Sequence, residues 1–305
     1  MNEKIDINKS IDLSEIFSVL WAKKIFFIVI IFSTALLSSL YTLTLPNIYQ
    51  STATLALTED TTGNLNSLSS QVSSLANIAG LSLTEKKADK AAIAIEIIES
   101  EDFFSQLVSD EDTFKKISAV KGWNQSKNIL IYDTKIYDNK KNKWVSDSPF
   151  AIEGKPSVQS SHIRFLKDNF NILKDDDTGL IEISFSHFSP TVSKEILQRI
   201  ISEINSTLKN NDIKTAENSI SFLKKELETT NLGELKIAIN RLIAKQIEII
   251  ALAKASPEYY FKILSSPTKP EQKFSPHRSL IVVLCCIFVF FITSIFFLYR
   301  DLSRL

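Results

Sequence analysis

Glycine is scarce in this chain and never clustered. Six occur in 305 residues (Gly63, Gly80, Gly122, Gly154, Gly179 and Gly233), and no two lie closer than 17 positions. Phosphate-cradling loops of the G-x-x-x-x-G-K-[ST] or G-x-G-x-x-G kind need glycines two to five residues apart, so both are excluded. Histidine is nearly as rare: His162, His187 and His277 lie far apart, and the two cysteines are adjacent. A zinc site needs about four converging His, Cys or carboxylate ligands, usually in close pairs, and no such set emerges. The reading assigns no catalytic, cofactor-binding or metal-ligating residue. Excess charge is also missing, with 35 Lys+Arg against 35 Asp+Glu. The whole chain therefore offers no basic footprint for nucleic acid.

What is present is apolar sequence, concentrated in two places. Ile25–Leu45 is 21 residues without a charge, and Leu280–Tyr299 is 20. At about 1.5 Å per helical residue each spans roughly 30 Å, the thickness of a bilayer's hydrocarbon core. A soluble core helix would show polar positions every three or four residues, and neither stretch does. A cleaved signal peptide is the alternative for the first. Its charged leader of 24 residues, its length and the lack of an A-x-A-like site argue against that.

Two spans put both termini on one side. Lys23 and Lys24 abut the first span, and Arg300 and Arg304 follow the second, which places residues 1–24 and 300–305 in the cytoplasm. Lys269, Lys273 and Arg278 on the opposite flank weaken that signal. The loop 46–279 is nevertheless long enough to be exported regardless of charge. The tails hold six of the basic and five of the acidic residues, leaving 29 against 30 in the loop. Cys285 and Cys286 lie inside the second span, so the exported domain has no cysteine for disulfides. In a lipid-facing helix they read as small apolar filler, with palmitoylation or redox chemistry as the alternative.

Within the loop, Ile48–Thr58 alternates as a half-buried strand. Leu65, Leu68, Val72, Leu75, Ile78 and Ala79 recur at helical spacing. Ser82–Glu85 reads as a capping box opening a helix through Ile93, Ile97 and Ile98. Residues 121–148 read as a surface loop with a short strand around Ile129–Tyr132. Trp123, Tyr132, Tyr137 and Trp144 would anchor it, although Lys interleaved with aromatics also suits single-stranded nucleic acid. Phe170–Leu173 and Leu180–Phe188 flank Asp175-Asp-Asp-Thr-Gly179 as a hairpin. The aspartates there lack the spacing of a calcium loop.

Ser189 and Pro190 supply an N-cap and a first helical residue. A helix follows over about 190–230, with Val192, Ile196, Ile200, Ile204 and Leu208 on one stripe. Ile213, Ala216, Ile220, Leu223 and Leu227 then continue at 3-4-3-4 spacing, a coiled-coil seam. Forty residues reach roughly 60 Å, more than a compact domain needs. Asn231-Leu-Gly233 breaks the pattern, and a second helix over about 234–255 closes a helical hairpin. Seam left uncovered would pack against neighbouring copies, the argument for a homo-oligomer. Complete closure within one chain is the alternative. Pro257, Pro267, Pro270 and Pro276 then favour an extended descent to the second span. The fold class expected is an α+β membrane protein, two transmembrane helices flanking an exported α/β domain with a long protruding helix.

Several residues in this order match a known family. They are Ile11-Asp-Leu-Ser-Glu15 before the first span, Pro46-Asn-Ile-Tyr-Gln-Ser51 after it, and Leu75-Ala-Asn-Ile-Ala-Gly80. Ser189-Pro190 and the run Pro267, Pro270, Pro276-His-Arg278 complete the set. The chain resembles the chain-length determinant proteins, or polysaccharide co-polymerases, of bacterial lipopolysaccharide and exopolysaccharide assembly. One departure is Ser265-Ser266-Pro267-Thr268, where related chains often carry an Asp-Pro-Ala-type run.

The resemblance implies a homo-oligomer in the bacterial inner membrane with a periplasmic main domain. It implies no enzymatic activity and no cofactor. Such proteins set the number of repeat units added by a separate integral-membrane polymerase, with the growing polysaccharide as a further candidate partner. By the same resemblance, Pro267, Pro270, Pro276 and Arg278 form a membrane-proximal partner segment. Six residues follow Tyr299 and no phosphate loop exists, so the expectation is the type without a kinase domain. An adaptor activating a separate cytoplasmic tyrosine kinase is the competing function. A membrane-anchored hydrolase using carboxylates such as Asp177 and Glu182 is a third, which no His or Cys nucleophile arrangement supports.

Overall fold

The computed structural model describes residues 21, 23–58 and 90–302. In chain order it contains α1 (Lys24–Thr44), β1 (Tyr49–Leu57), α2 (Lys90–Ile98), α3 (Glu101–Leu107) and α4 (Glu111–Ser118). Two small ribbons follow, β2 (Val120–Asn124) with β3 (Ile129–Tyr132), and β4 (Tyr137–Asp138) with β5 (Lys143–Trp144). Then come α5 (Val158–Arg164), a π-helical turn (Phe165–Asn169), β6 (Phe170–Lys174) and β7 (Ile181–His187). The chain continues through α6 (Pro190–Thr229), α7 (Gly233–Ala255), β8 (Phe261–Ser265) and α8 (Arg278–Leu302). The helical pattern expected over 65–79, the capping box Ser82–Glu85 and the segment 11–15 lie outside the described residues.

Two compact units result, one made of residues up to Asn47 and from Phe274, the other of Ile48–Lys273. The first is the antiparallel pair α1 and α8. Phe26 meets Phe297 edge-on at 5.1 Å, and Phe27 packs on Phe290 at 5.6 Å. Both helices are long and apolar enough to cross a membrane, yet only 11% and 6% of their most apolar windows are buried. A core helix of a soluble protein would be mostly covered, so these surfaces suit lipid. Two of their hydroxyls bond to their own helix, Ser38 to the Thr34 carbonyl and Thr293 to that of Val289, at 2.7 and 2.8 Å, which lowers the cost of placing them in lipid.

The second unit is built on an antiparallel sheet in the order β6-β7-β1-β8. Alternation dictates which side chains face inward. In β7, Ile181, Ile183 and Phe185 are fully buried, and in β1 Ala53 and Leu55 are. Asp175 shapes the β6–β7 turn by accepting the amide N–H groups of Asp177 and Thr178. The first half of α6 packs on β1 and β7 and buries Val192, Ile196, Ile200, Ile204 and Leu208. Ser189 caps this helix by accepting the Val192 N–H.

Two features differ from the sequence expectation. Residues 120–124, read as loop, form a strand paired with 129–132, because the turn Asn124–Asn128 closes a ribbon and Asn128 accepts a positive φ of 51°. Phe261–Ser265, read within an extended descent, joins the sheet beside β1. Its signal was the β-prone run Tyr259-Tyr-Phe-Lys-Ile-Leu264 between two prolines. The helices α3 and α4 are short, set by their caps Ser100 and Asp110 rather than by a long apolar period.

Candidate functional site

Among the described residues, no cluster of three His, Cys, Asp or Glu side chains is placed to hold a metal ion. Asp177 lies in the exposed β6–β7 turn and Glu182 on β7 beyond it. His187 is buried, with Nε2 3.1 Å from the Lys116 carbonyl and Nδ1 accepting the Ser189 N–H. It therefore works as a structural link between β7, α4 and the α6 cap.

Burial pushes the His187 imidazole down from 6.5 to about 4, so it is neutral in the folded protein at ordinary pH. Below pH 6.5 the unfolded chain takes up a proton that the folded imidazole refuses. Its stabilisation is complete above 6.5 and drains away as pH falls towards 4, by about 3 kcal/mol in all. The unfolding midpoint of the full chain should fall through this window. His187→Gln should flatten that part of the profile. Asp110, held well below the usual carboxylate range first by the Thr113 hydroxyl, acts only at lower pH.

The surfaces that remain are those that could assemble. Beyond Leu208 the long helix leaves the sheet, and α7 packs back along it. Of the sequence-derived seam, Ala216 is buried, and Ile213, Ile220, Leu223 and Leu227 are half-buried. The exposed apolar surface lies largely elsewhere: on Leu235, Ile237, Leu242 and Ile247 of α7, and on Phe222 of α6. The reason is legible in α7, whose Leu235, Ile237, Ile239, Leu242, Ile243, Ile247, Ile249, Ile250 and Leu252 are too many for one stripe. Ile239 and Ile243 are buried, and the others named cannot all follow them.

The four residues expected to form a partner segment divide between the two compact units. Pro267 and Pro270 belong to the sheet-bearing unit, where Ser51 of β1 donates its hydroxyl to the Thr268 carbonyl at 2.8 Å. Pro276 and Arg278 belong to the helix pair. There the Arg278 guanidinium donates to the carbonyls of Thr42 and Leu45 at 2.9 and 3.1 Å, and to Asn47 Oδ1 at 3.0 Å. Helix α1 ends at Thr44, so these are its orphaned C-terminal carbonyls, at the negative end of its dipole. Arg278 is thus a clamp between the two helices.

A second buried polar link holds the base of the hairpin. Asn205 of α6, almost fully buried, accepts the N–H groups of Tyr260 and Phe261 at 3.2 and 2.8 Å. Its amide donates back to the Phe261 carbonyl at 3.2 Å. Seven residues on, Asp212 accepts the Tyr259 hydroxyl at 3.1 Å, and burial raises that phenol well above its ordinary value. Sequence reasoning found neither. An Asn inside an apolar helical stripe was the available signal.

With this geometry in view, residues 9–111 match the family model described as chain length determinant protein, Wzz. The matched stretch includes the first apolar helix, β1, α2 and α3. Among solved structures, the chain is similar to a full-length bacterial polysaccharide co-polymerase. Identity there is 11%, 96% of this chain and 98% of that one are covered, and the TM-score is 0.38. It is also similar to a fragment of WzzB, a polysaccharide co-polymerase from Salmonella Typhimurium, at 11% identity and a TM-score of 0.32. That comparison covers 75% of this chain and 100% of the other. No curated protein matches. Residues 9–111 are therefore similar to the chain length determinant family, and two helices of the chain are long and apolar enough to cross a membrane.

Proposed function

We propose that this protein regulates the chain length of a surface polysaccharide, O-antigen or exopolysaccharide, without itself being an enzyme. It acts as a homo-oligomeric inner-membrane scaffold on a separate integral-membrane polymerase. Spans at 25–45 and 280–299 anchor an exported domain, 46–279, in the periplasm, with tails 1–24 and 300–305 in the cytoplasm. Arg278 does not oppose this orientation, because its charge is engaged with helix-end carbonyls rather than left to set topology. A groove of about 530 Å³ beside Asn205, lined by Gln198, Ser202, Ser206 and Lys209, offers the growing polysaccharide hydroxyl, amide and ammonium groups.

The observation that carries the reading is the number of exposed apolar side chains on α7, in a hairpin that extends past the sheet. Leu235, Ile237, Leu242 and Ile247 are each at least 38% exposed. Leu235 and Leu242, a heptad apart, share one flank of the helix and Ile237 and Ile247 point elsewhere, so α7 offers apolar side chains to more than one neighbour, as repeated contacts between copies require. The seam residues Ile213, Ile220, Leu223 and Leu227 are then a joint between α6 and α7 that holds α7 in place. Full-length protein in nanodiscs should appear by electron microscopy as a multi-subunit particle. Leu242→Glu with Ile247→Glu should reduce it to single copies that remain folded. A wild-type protein that stays monomeric would overturn the scaffold.

A further inference from the structure

A cavity of about 190 Å³ opens within the sheet-bearing unit, where the ends of α4, α5 and β7 converge. At about 30 Å³ per water molecule it has room for roughly six waters. The groove beside Asn205, at about 530 Å³, is far larger. The smaller cavity suits one small unit rather than a chain. Its lining combines two chemistries. Val120 and Phe188 supply apolar surface, while Ser118, Arg164, Asp168 and Asn169 supply charge and hydrogen-bonding groups.

An irregularity in the chain brings these polar groups together. Helix α5 runs into the π-helical turn Phe165–Asn169, closed by the Phe170 N–H on the Phe165 carbonyl. At 3.6 residues per turn, position i+5 would point about 140° away from position i. The wider turn lets Arg164, Asp168 and Asn169, at i, i+4 and i+5, all line the cavity.

Folding contacts leave much of their bonding capacity unused. Arg164 donates one N–H to the Ser118 carbonyl at the end of α4, and a guanidinium carries several more. Among the described residues it forms no ion pair, even with Asp168 one turn on. Asp168 is exposed. Asn169 donates to the Ser186 carbonyl at 2.9 Å and keeps its side-chain oxygen as an acceptor. The Ser118 hydroxyl is buried and bonded to no other group among the described residues. His187 also borders the cavity, but both of its ring nitrogens are engaged. A role as a helix-end clamp explains one N–H of Arg164 and none of the other groups.

We propose that this cavity binds one acidic sugar unit, a hexuronate. Arg164 takes the carboxylate in a two-pronged bond. Asp168 and the Asn169 oxygen accept ring hydroxyls, and Val120 and Phe188 pack against the C–H face of the ring. A compact tetrahedral anion fits less well, because Asp168 repels it and the apolar wall gains nothing from it. The saccharide class rests on the function proposed above, and the acidic group rests on Arg164.

The test is ligand-observed saturation-transfer NMR on the full chain in nanodiscs. The probes are D-glucuronate, D-galacturonate and D-glucose, with inorganic phosphate as competitor. At least one hexuronate should bind about tenfold more tightly than glucose, the least that a charge-assisted bidentate bond contributes. Phosphate should displace it only at about tenfold higher concentration or more. Arg164→Gln should bring the hexuronate down to the level of glucose, and Arg164→Lys should lie between. Asp168→Asn, at an exposed position, should narrow the preference for hexuronate over phosphate. If Arg164→Gln fails to fold by circular dichroism, the Lys and Asn variants decide. No binding of either hexuronate, equal binding of glucose or equally effective displacement by phosphate would each overturn the proposal. So would Arg164 variants with unchanged affinity. Surface polysaccharide of unaltered length in cells lacking the protein would contradict the regulator yet leave these affinities standing, so the two failures are distinguishable.

Discussion

Replacing Asn205 by Leu should destabilise the sheet-bearing unit by about 4 kcal/mol, although the new side chain is apolar and similar in size. The carboxamide serves three backbone groups at the start of β8: the N–H of Tyr260, and the N–H and carbonyl of Phe261. Phe261 is wholly buried, so water cannot replace these bonds. Each abandoned group costs about 1–3 kcal/mol, and Leu abandons all three. Asn205→Asp keeps two acceptor bonds but buries a charge and loses the donor. It should fall in the same range with a strong pH dependence. Denaturant unfolding of the full chain in detergent, followed by circular dichroism, measures both. An Asn205→Leu protein as stable as the parent would show that β8 is held by its pairing with β1 alone.

Arg278→Ala should release the exit ends of the two spans from one another. Charge-assisted bonds to Thr42, Leu45 and Asn47 contribute about 1.5–3 kcal/mol each when shielded. Arg278 is only half-buried, and water at the rim offsets part of the loss, so about 3 kcal/mol in total is expected. Arg278→Lys should recover less than half of this, because one ammonium cannot reproduce the fork that reaches three acceptors. The unfolding midpoint in a sodium dodecyl sulfate titration reads this loss. A broadened length distribution of the surface polysaccharide in cells carrying Arg278→Ala should accompany it. A lysine variant equal to wild type in both would reduce the clamp to a simple charge.

How much of this was legible in the sequence depended on whether the signal was local. Both spans, the Ser189-Pro190 helix start, the stripe from Val192 to Leu208 and the β6–β7 hairpin all follow from runs or periods within one segment. The return of β8 to the sheet did not, because an edge strand of five residues declares itself only through its partner β1. Asn205 and Arg278 were obscure for the same reason. Their partners lie 55 or more residues away, and a polar side chain in a helix becomes informative only once those carbonyls and amides are placed. The seam spacing on α6 did not indicate where apolar surface stays exposed: Ala216 is buried and Ile213, Ile220, Leu223 and Leu227 are half-buried, while the exposed isoleucines and leucines lie on α7, which carries more of them than one stripe can cover.

The measurement that bears most directly on the central claim is the length distribution of surface polysaccharide from cells lacking this protein, resolved on a gel. Loss of the protein should replace a preferred modal length with a broad distribution, leaving total polysaccharide synthesis intact. Restoring the wild-type chain should restore the mode, and the Leu242→Glu, Ile247→Glu chain should not. An unchanged distribution in its absence, or the disappearance of the polysaccharide altogether, would contradict a scaffold that sets length without performing synthesis.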